Sequence, residues 1–363
     1  MIPLSLHKFH DGLGARFTEV NGYEVVEHYG DALAEHAALR EAAGVFDLSF
    51  RSRLCLLGAD RQKFLNGQVT NNVKDLKVGD GCYAALVNAK GRVQSDLDIY
   101  ILADEILLDF EPGYSAAVAQ RLEQYIIADD VQVTDVAPHY GLLSVQGPKA
   151  GDVVRQLDPG LALTTRPMSF LSLKDLTLGE LYLMNLPRTG TSGFDLFVPV
   201  AALEAVADKL TAAATAVRGC ACGWQSMETA RIEAGIPRFG VDMDETNLAP
   251  EAGLETRAIS YTKGCYIGQE VIARVRTYGQ VAKSLRGLRL ADSIQAMPRK
   301  GAKLYRDGKE VGYVTSAVAS PAFKCNIALG YVRREHNQIG TELILRAPDG
   351  ESAARIIDLP LRR

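Results

Sequence analysis

The chain has 363 residues, 47% of them hydrophobic and 23% charged, with a formal net charge of −4. That length supports two or three domains with cores of their own, and the composition excludes a disordered protein. The acidic balance gives no electrostatic footprint for nucleic acid, and no apolar run approaches the roughly 18–20 residues that span a bilayer. Met1–Gly14 holds no signal-peptide core, so the cytoplasm is the expected compartment.

Taken in order, Asp31 opens an alanine- and leucine-spaced helix that Gly44 is expected to stop. Arg53–Leu57 reads as a strand, and Asp60 as the cap of a short helix through Phe64. Two turn signals, Gly79-Asp80-Gly81 and Ala89-Lys90-Gly91, frame a hairpin of Cys82–Asn88 and Arg92–Leu102 that carries Tyr83 and Tyr100. A helix near 114–127 and a strand at Val131–Val133 complete one α+β unit. A similar order follows: strand Leu142–Gln146, helix Pro148–Leu157, strands Leu178–Asn185 and Phe194–Val198, helix Ala201–Ala216. The two stretches, about 51–138 and 139–217, suggest a pseudo-repeat within residues 1–280. Beyond a boundary near 280, residues 281–363 break into short apolar runs between glycine turns: Leu285–Leu290, Lys303–Arg306, Gly312–Val318, Ile327–Val332 and Glu342–Arg346. That pattern predicts a small β-barrel or sandwich.

Several residues can carry chemistry. Side chains alternate across a strand, so Asp96 and Asp98 share one face; Asp96 is a candidate base or amine holder, while Asp98 is expected to face solvent. Arg231 and Glu233 lie just ahead of Gly235, and the arginine fork suits a ligand carboxylate or an internal partner equally. Lys263-Gly264-Cys265-Tyr266-Ile267-Gly268-Gln269-Glu270 sets one thiol between two glycines, with a cation nearby. A nearby cation favours the reactive thiolate, while a small buried thiol is the plain reading. Arg274 and Arg276 add positive charge after this loop, which fits an anionic ligand or an ordinary solvated face. The six cysteines are scattered too widely for a disulfide framework. Cys220 and Cys222 form a C-x-C pair without a second pair at zinc spacing, and the histidines have no third ligand.

With these residues in hand, the chain resembles the glycine-cleavage T-protein (aminomethyltransferase) superfamily over nearly its whole length. The likeness runs through His10–Phe17, Leu39–Ser49, Phe64–Asn71, Val145–Lys149, Arg231–Gly235 and, toward the end, Val311–Ser316 and Ile327–Tyr331. The Cys265 octet resembles the YgfZ-type branch, folate-binding proteins that support iron–sulfur cluster assembly. The resemblance implies an α+β, three-domain ring: two ferredoxin-like units and a C-terminal β-barrel, with tetrahydrofolate or a derivative in a central channel. By position, Asp96 matches the carboxylate near the reactive end of the folate, and Tyr83, Tyr100 and Arg231 match pocket positions. Two departures stand out. A short insertion after Gly190, which in T-proteins carries a pterin-gripping glutamate, is missing, leaving Asp195 as a stand-in; and Glu111 replaces a pocket asparagine. The leading expectation is therefore a tetrahydrofolate-binding accessory protein of iron–sulfur cluster assembly, with Cys265 meeting a cluster, a sulfur species or an assembly protein. The alternative is a tetrahydrofolate-dependent aminomethyltransferase or related one-carbon demethylase that uses Asp96 and serves a lipoyl carrier or an N-methylated substrate. A third reading is a scaffold that keeps only the fold.

Overall fold

Local sequence signals account for the first elements of the chain, which is described from a computed structural model covering residues 1–279, 281–347 and 350–359. Helix α1 (His7–Gly12) precedes a hairpin of β1 (Arg16–Val20) and β2 (Tyr23–His28). Asn21 and Gly22 connect them with φ of 50° and 87°, the paired left-handed backbone that a two-residue hairpin turn needs. Helix α2 (Ala32–Glu41) starts where Asp31 accepts the backbone N–H groups of Leu33 and Ala34. It ends at Ala42 rather than at Gly44, which instead opens β3 (Gly44–Asp47).

Two sheets follow. The first is built from β4 (Ser52–Leu57), β5 (Gly81–Val87), β6 (Val93–Ile101), β7 (Ile106–Phe110) and β8 (Gln132–Asp135), in the order β5-β6-β7-β4-β8. Helices α3 (Arg61–Gln68) and α4 (Ser115–Glu123) belong to it in sequence. The expected Asp60 cap is absent: its carboxylate accepts the N–H of Asp130 instead. The second sheet contains β9 (Tyr140–Gln146), β10 (Phe170–Asp175), β11 (Gly179–Asn185), β12 (Gly193–Pro199) and β13 (Cys220–Ala221). Its order is β10-β11-β12-β9-β3-β13, so the strand order of the first sheet recurs with β3 inserted between the last two strands. Helix α5 is only Ala150–Val154, while α6 runs Leu203–Ala216 and buries Leu203, Val206, Ala207 and Leu210 in this sheet's core.

Helices α7 (Trp224–Glu233), α8 (Glu255–Ala258) and α9 (Gln269–Tyr278) lead to a closed six-stranded barrel. Its strands are β14 (Lys283–Leu290), β15 (Lys303–Arg306), β16 (Lys309–Ser320), β17 (Cys325–Arg333), β18 (Glu342–Ala347) and β19 (Gly350–Ile357). The barrel order is β14-β17-β16-β15-β18-β19, closed by β14 pairing with β19. The α+β sheets and the C-terminal β-barrel expected from sequence are the ones observed. The chain separates into two compact units, one of residues 1–84 and 96–228, the other of residues 85–95 and 229–363. Gln280, where the sequence places a boundary, lies outside the described residues. No helix among the described residues is long and apolar enough to cross a membrane.

Pairing of β16 with β17 brings their backbones close together at Gly312. A Cβ on Gly312 would stand 2.1 Å from the Tyr331 carbonyl oxygen. Gly312→Ala is therefore expected to destabilise the protein by about 1–3 kcal/mol, as overpacking of a tight contact does. Urea unfolding checks this: the midpoint falls while the slope stays unchanged.

Candidate functional site

Strand β6 carries Asp96, Asp98 and Tyr100 at alternate positions on one face. Asp96 belongs to the first unit and is partly buried, neither enclosed nor fully exposed. The Tyr83 hydroxyl, on the neighbouring β5, donates to Asp96 Oδ2 at 2.8 Å. Burial pushes the Asp96 carboxyl up to about 6, with Glu111 adding to the rise and the Tyr83 hydrogen bond and Arg51 opposing it. A carboxyl that changes charge near neutrality can take or release a proton under working conditions.

Asp98 does not face solvent, contrary to expectation; it is 8% exposed. The β6–β7 register sets it directly opposite Asp109, which is fully buried. Like charges across a strand pair repel, so the arrangement needs cations. Arg51 and Arg188 supply them. Arg51 Nε lies 3.0 Å from Asp109 and its Nη1 2.8 Å from Glu111, while Arg188 donates to Asp109 at 2.6 Å and to Asp195 at 2.7 Å. Both arginines stand farther from Asp98, at 4.0 and 3.5 Å. Distance decides how the protons divide. Burial raises both carboxyls of the facing pair, but the close arginines outweigh it at Asp109 and hold that group below its ordinary range. At Asp98 burial wins over the more distant arginines, and its proton is held more tightly than usual. Burial likewise raises Asp195 against the pull of Arg188.

Arg188 arrives on the loop between β11 and β12, so this ion-pair cluster ties the second sheet to the first within one unit. Sequence reading missed Arg51 and Arg188 as site residues. The available signal was Asp109 inside the apolar run Ile106–Phe110, because a carboxylate in a strand buried on both faces requires a cationic partner.

The other expected residues fall in two places. Tyr100 is 1% exposed, packs edge-on against Phe170 and Phe197, and leaves a buried hydroxyl with no hydrogen-bond partner among the described residues. Arg231 lies in the second unit, where it donates to Asp242 at 2.6 Å, to Ser316 Oγ at 3.0 Å and to the Ile236 carbonyl. Glu233, close by in sequence, accepts from Ser320 at 2.5 Å. These contacts fasten α7 to barrel strand β16.

The octet also belongs to the second unit. Cys265 is exposed, and the Lys263 ammonium lies 5.0 Å from the Tyr266 ring centroid. Gly264 has open space around it, whereas Gly268 has φ of +81° and a Cβ there would meet the Asn88 carbonyl oxygen at 2.4 Å. Gly268 therefore sets the start of α9, whose first residues are Gln269 and Glu270. Glu270 pairs with Arg274 on the helix surface, and Arg276 stacks over the Tyr261 ring at 4.1 Å.

A tetrahydrofolate-type ligand meets these residues unevenly. Asp96, held by the Tyr83 hydroxyl, offers an acceptor to the amine-bearing part of such a molecule, whereas the Tyr100 hydroxyl is enclosed. Asp195 and Glu111 are engaged already, each held by an arginine, so neither stands ready to receive the donors of a pterin edge.

Comparison with known proteins gives a consistent result. The family described as GCVT N-terminal domain matches residues 6–263, and the Glycine cleavage T-protein C-terminal barrel domain matches residues 283–361. The chain is 30% identical to an aminomethyltransferase of Symbiobacterium thermophilum over 99% of its own length and 96% of that protein's. It is also 30% identical to one from Saccharopolyspora erythraea, covering 99% of this chain and 97% of the relative. The crystal structure of glycine cleavage system aminomethyltransferase T from Bartonella henselae superposes with a TM-score of 0.87 at 26% identity, covering 99% of this chain and 97% of that one. These findings overturn the expectation of an iron–sulfur assembly accessory protein. Relatives that match from end to end are aminomethyltransferases, and the octet on which that expectation rested spends its Lys263 and Glu270 charges on Tyr266 and Arg274. The chain belongs to the glycine cleavage T-protein family.

Proposed function

We propose that this protein is a one-carbon transferase of the aminomethyltransferase type, with Asp96 as the group that manages the proton. The observation carrying the reading is the Asp96 carboxyl: partly buried, held by Tyr83 and raised to about 6. The relatives' shared name supplies the reaction class, transfer of an aminomethyl group. A tetrahydrofolate bound here would accept the one-carbon unit on its amines.

The chain's own residues then have defined tasks. The Tyr83 hydroxyl orients Asp96 by donating to Oδ2. Ionised Asp96 would take the proton released by the amine that bonds to the incoming carbon, while the donor's carbon–nitrogen bond breaks and its nitrogen leaves as ammonia. Arg51 and Arg188 keep the neighbouring carboxylates compensated, so that Asp96 titrates without a large uncancelled field from Asp109. Tyr100 closes the apolar floor with Phe170 and Phe197. With Asp195 and Glu111 engaged by the arginines, binding of a pterin edge relies on other groups, and a buried donor left without an acceptor costs roughly 1–3 kcal/mol. A lipoyl carrier bearing an aminomethyl group is the proposed donor.

The test is direct. Incubation with an aminomethylated lipoyl carrier protein and tetrahydrofolate is expected to release ammonia and form methylenetetrahydrofolate. Failure with this donor would overturn the proposal.

A further inference from the structure

Away from Asp96, the first unit holds a pair of thiols that the proposed transfer does not use. Strand β13 runs parallel to β3, pairing Cys220 with Gly44 and Ala221 with Val45, and the Cys222 N–H continues the ladder by donating to the Val45 carbonyl at 2.8 Å. Alternation along this extended segment puts Cys220 and Cys222 on one face, and their sulfurs lie 3.7 Å apart. We propose that Cys220 and Cys222 form a reversible redox pair, closed to a disulfide by exchange with a low-molecular-weight disulfide.

Three features of the pair bear on this. A disulfide bond is about 2.05 Å long, so the sulfurs need to close by about 1.7 Å; Cβ atoms two residues apart on an extended strand lie beyond the roughly 3.8 Å that a disulfide spans, so closure draws in the backbone between Cys222 and α7. The space exists because position 44 has no side chain; a Cβ there would stand 2.7 Å from Cys222 Sγ. The two thiols are also unequal. Cys220 is half-buried and reachable, whereas Cys222 is 2% exposed, with its S–H directed at the Glu35 carbonyl 3.6 Å away or at Cys220. The hydrogen bond from Cys222 lowers the proton affinity of Cys220; the same bond and burial raise that of Cys222. Cys220 is thus the attacking thiol and Cys222 the resolving one.

The exchange balances in two steps. Cys220 thiolate attacks one sulfur of the external disulfide, whose S–S bond breaks to release one thiolate and leave a mixed disulfide. Cys222 then gives its proton to solvent and attacks Cys220 Sγ, expelling the second thiolate. Two protein thiols are oxidised and one external disulfide is reduced to two thiols.

The chain carries its own reporter. Trp224, the single tryptophan, opens α7 two residues after Cys222, and its ring meets Phe50 edge-on at 5.5 Å. Drawing Cys222 Sγ toward Cys220 takes it off the Glu35 carbonyl and shifts the turn into α7. The test uses the full chain with Cys265→Ser, which removes the exposed thiol, exposed to glutathione disulfide. Cleavage after Arg218 and Arg231 leaves Cys220, Cys222 and Trp224 on one peptide. That peptide is expected to lose two hydrogens without a glutathione adduct, together with a change in Trp224 emission, both reversed by dithiothreitol. With Cys222→Ser added, Cys220 is expected to retain the glutathione adduct. A lasting adduct in the chain with both thiols, or an unmodified peptide while Cys82 or Cys325 reacts, would overturn the proposal.

Discussion

Arg188→Ala is expected to destabilise the protein by about 3–5 kcal/mol, the usual cost of removing one partner from a buried ion pair. The arginine side chain is 12% exposed and holds Asp109 and Asp195 at 2.6–2.7 Å, with Asp98 at 3.5 Å. Removing it leaves Arg51 as the cation for Asp98, Asp109 and Glu111, and leaves Asp195 inside without its partner. The lost charge also unfastens the second sheet from the first, because Arg188 comes from one and Asp109 from the other. Carboxylates relieved of a cation bind protons more tightly, so the variant should lose less stability at pH 5 than at pH 8. Urea unfolding at the two pH values measures both effects. A change below about 1 kcal/mol at pH 8 would show that the cluster behaves like a surface ion pair.

Stability of the unmodified protein carries the opposing signs of the same groups. Asp96 has a folded value of about 6, raised from the ordinary 3.8, so its favourable contribution is complete below 3.8 and is lost as pH rises through 6. Asp98 and Asp195 are raised too and contribute in the same direction. Asp109 is depressed, so its contribution is present above its ordinary value and is lost as pH falls through its folded one.

Replacing Asp96 by asparagine is expected to lower kcat for one-carbon transfer by about 100- to 10,000-fold, the range over which a positioned acid–base group acts. Asparagine keeps the shape and an oxygen for the Tyr83 hydroxyl, so folding and ligand affinity should change little. The loss should therefore appear in kcat more than in KM, as for an interaction made mainly at the transition state. Tyr83→Phe is expected to have a milder effect of a different kind. The Tyr83 hydrogen bond lowers the Asp96 value, so its removal moves the titration to higher pH.

Much of this architecture was legible because the elements are punctuated. Asp31, Gly79-Asp80-Gly81 and the barrel glycines mark starts and turns, and the apolar runs between them became strands. What was missed has physical causes. Strand β19 escaped notice because only Ala354 and Ile356 of Gly350–Ile357 point inward, leaving too little apolar alternation to see. The Asn21-Gly22 hairpin offered a turn signal that the flanking polar residues obscured. Asp96 was found as a candidate by face and spacing, but Asp98 was misjudged because solvent exposure depends on what lies across the strand. Its partner Asp109 and the arginines come from distant parts of the chain, and no local pattern links Arg51 to Arg188. The Cys265 octet misled for a related reason: a loop with the composition of a reactive site uses its charges in local packing.

The measurement that bears most directly on the account is the pH dependence of tetrahydrofolate-dependent one-carbon transfer by the unmodified protein and by Asp96→Asn. Ionised Asp96 as the proton acceptor requires kcat/KM to rise with pH through an acid limb near 6 in the unmodified protein. The variant should retain a small, flat rate across that range. A limb that persists unchanged in Asp96→Asn, or transfer as fast as in the unmodified protein, would contradict it.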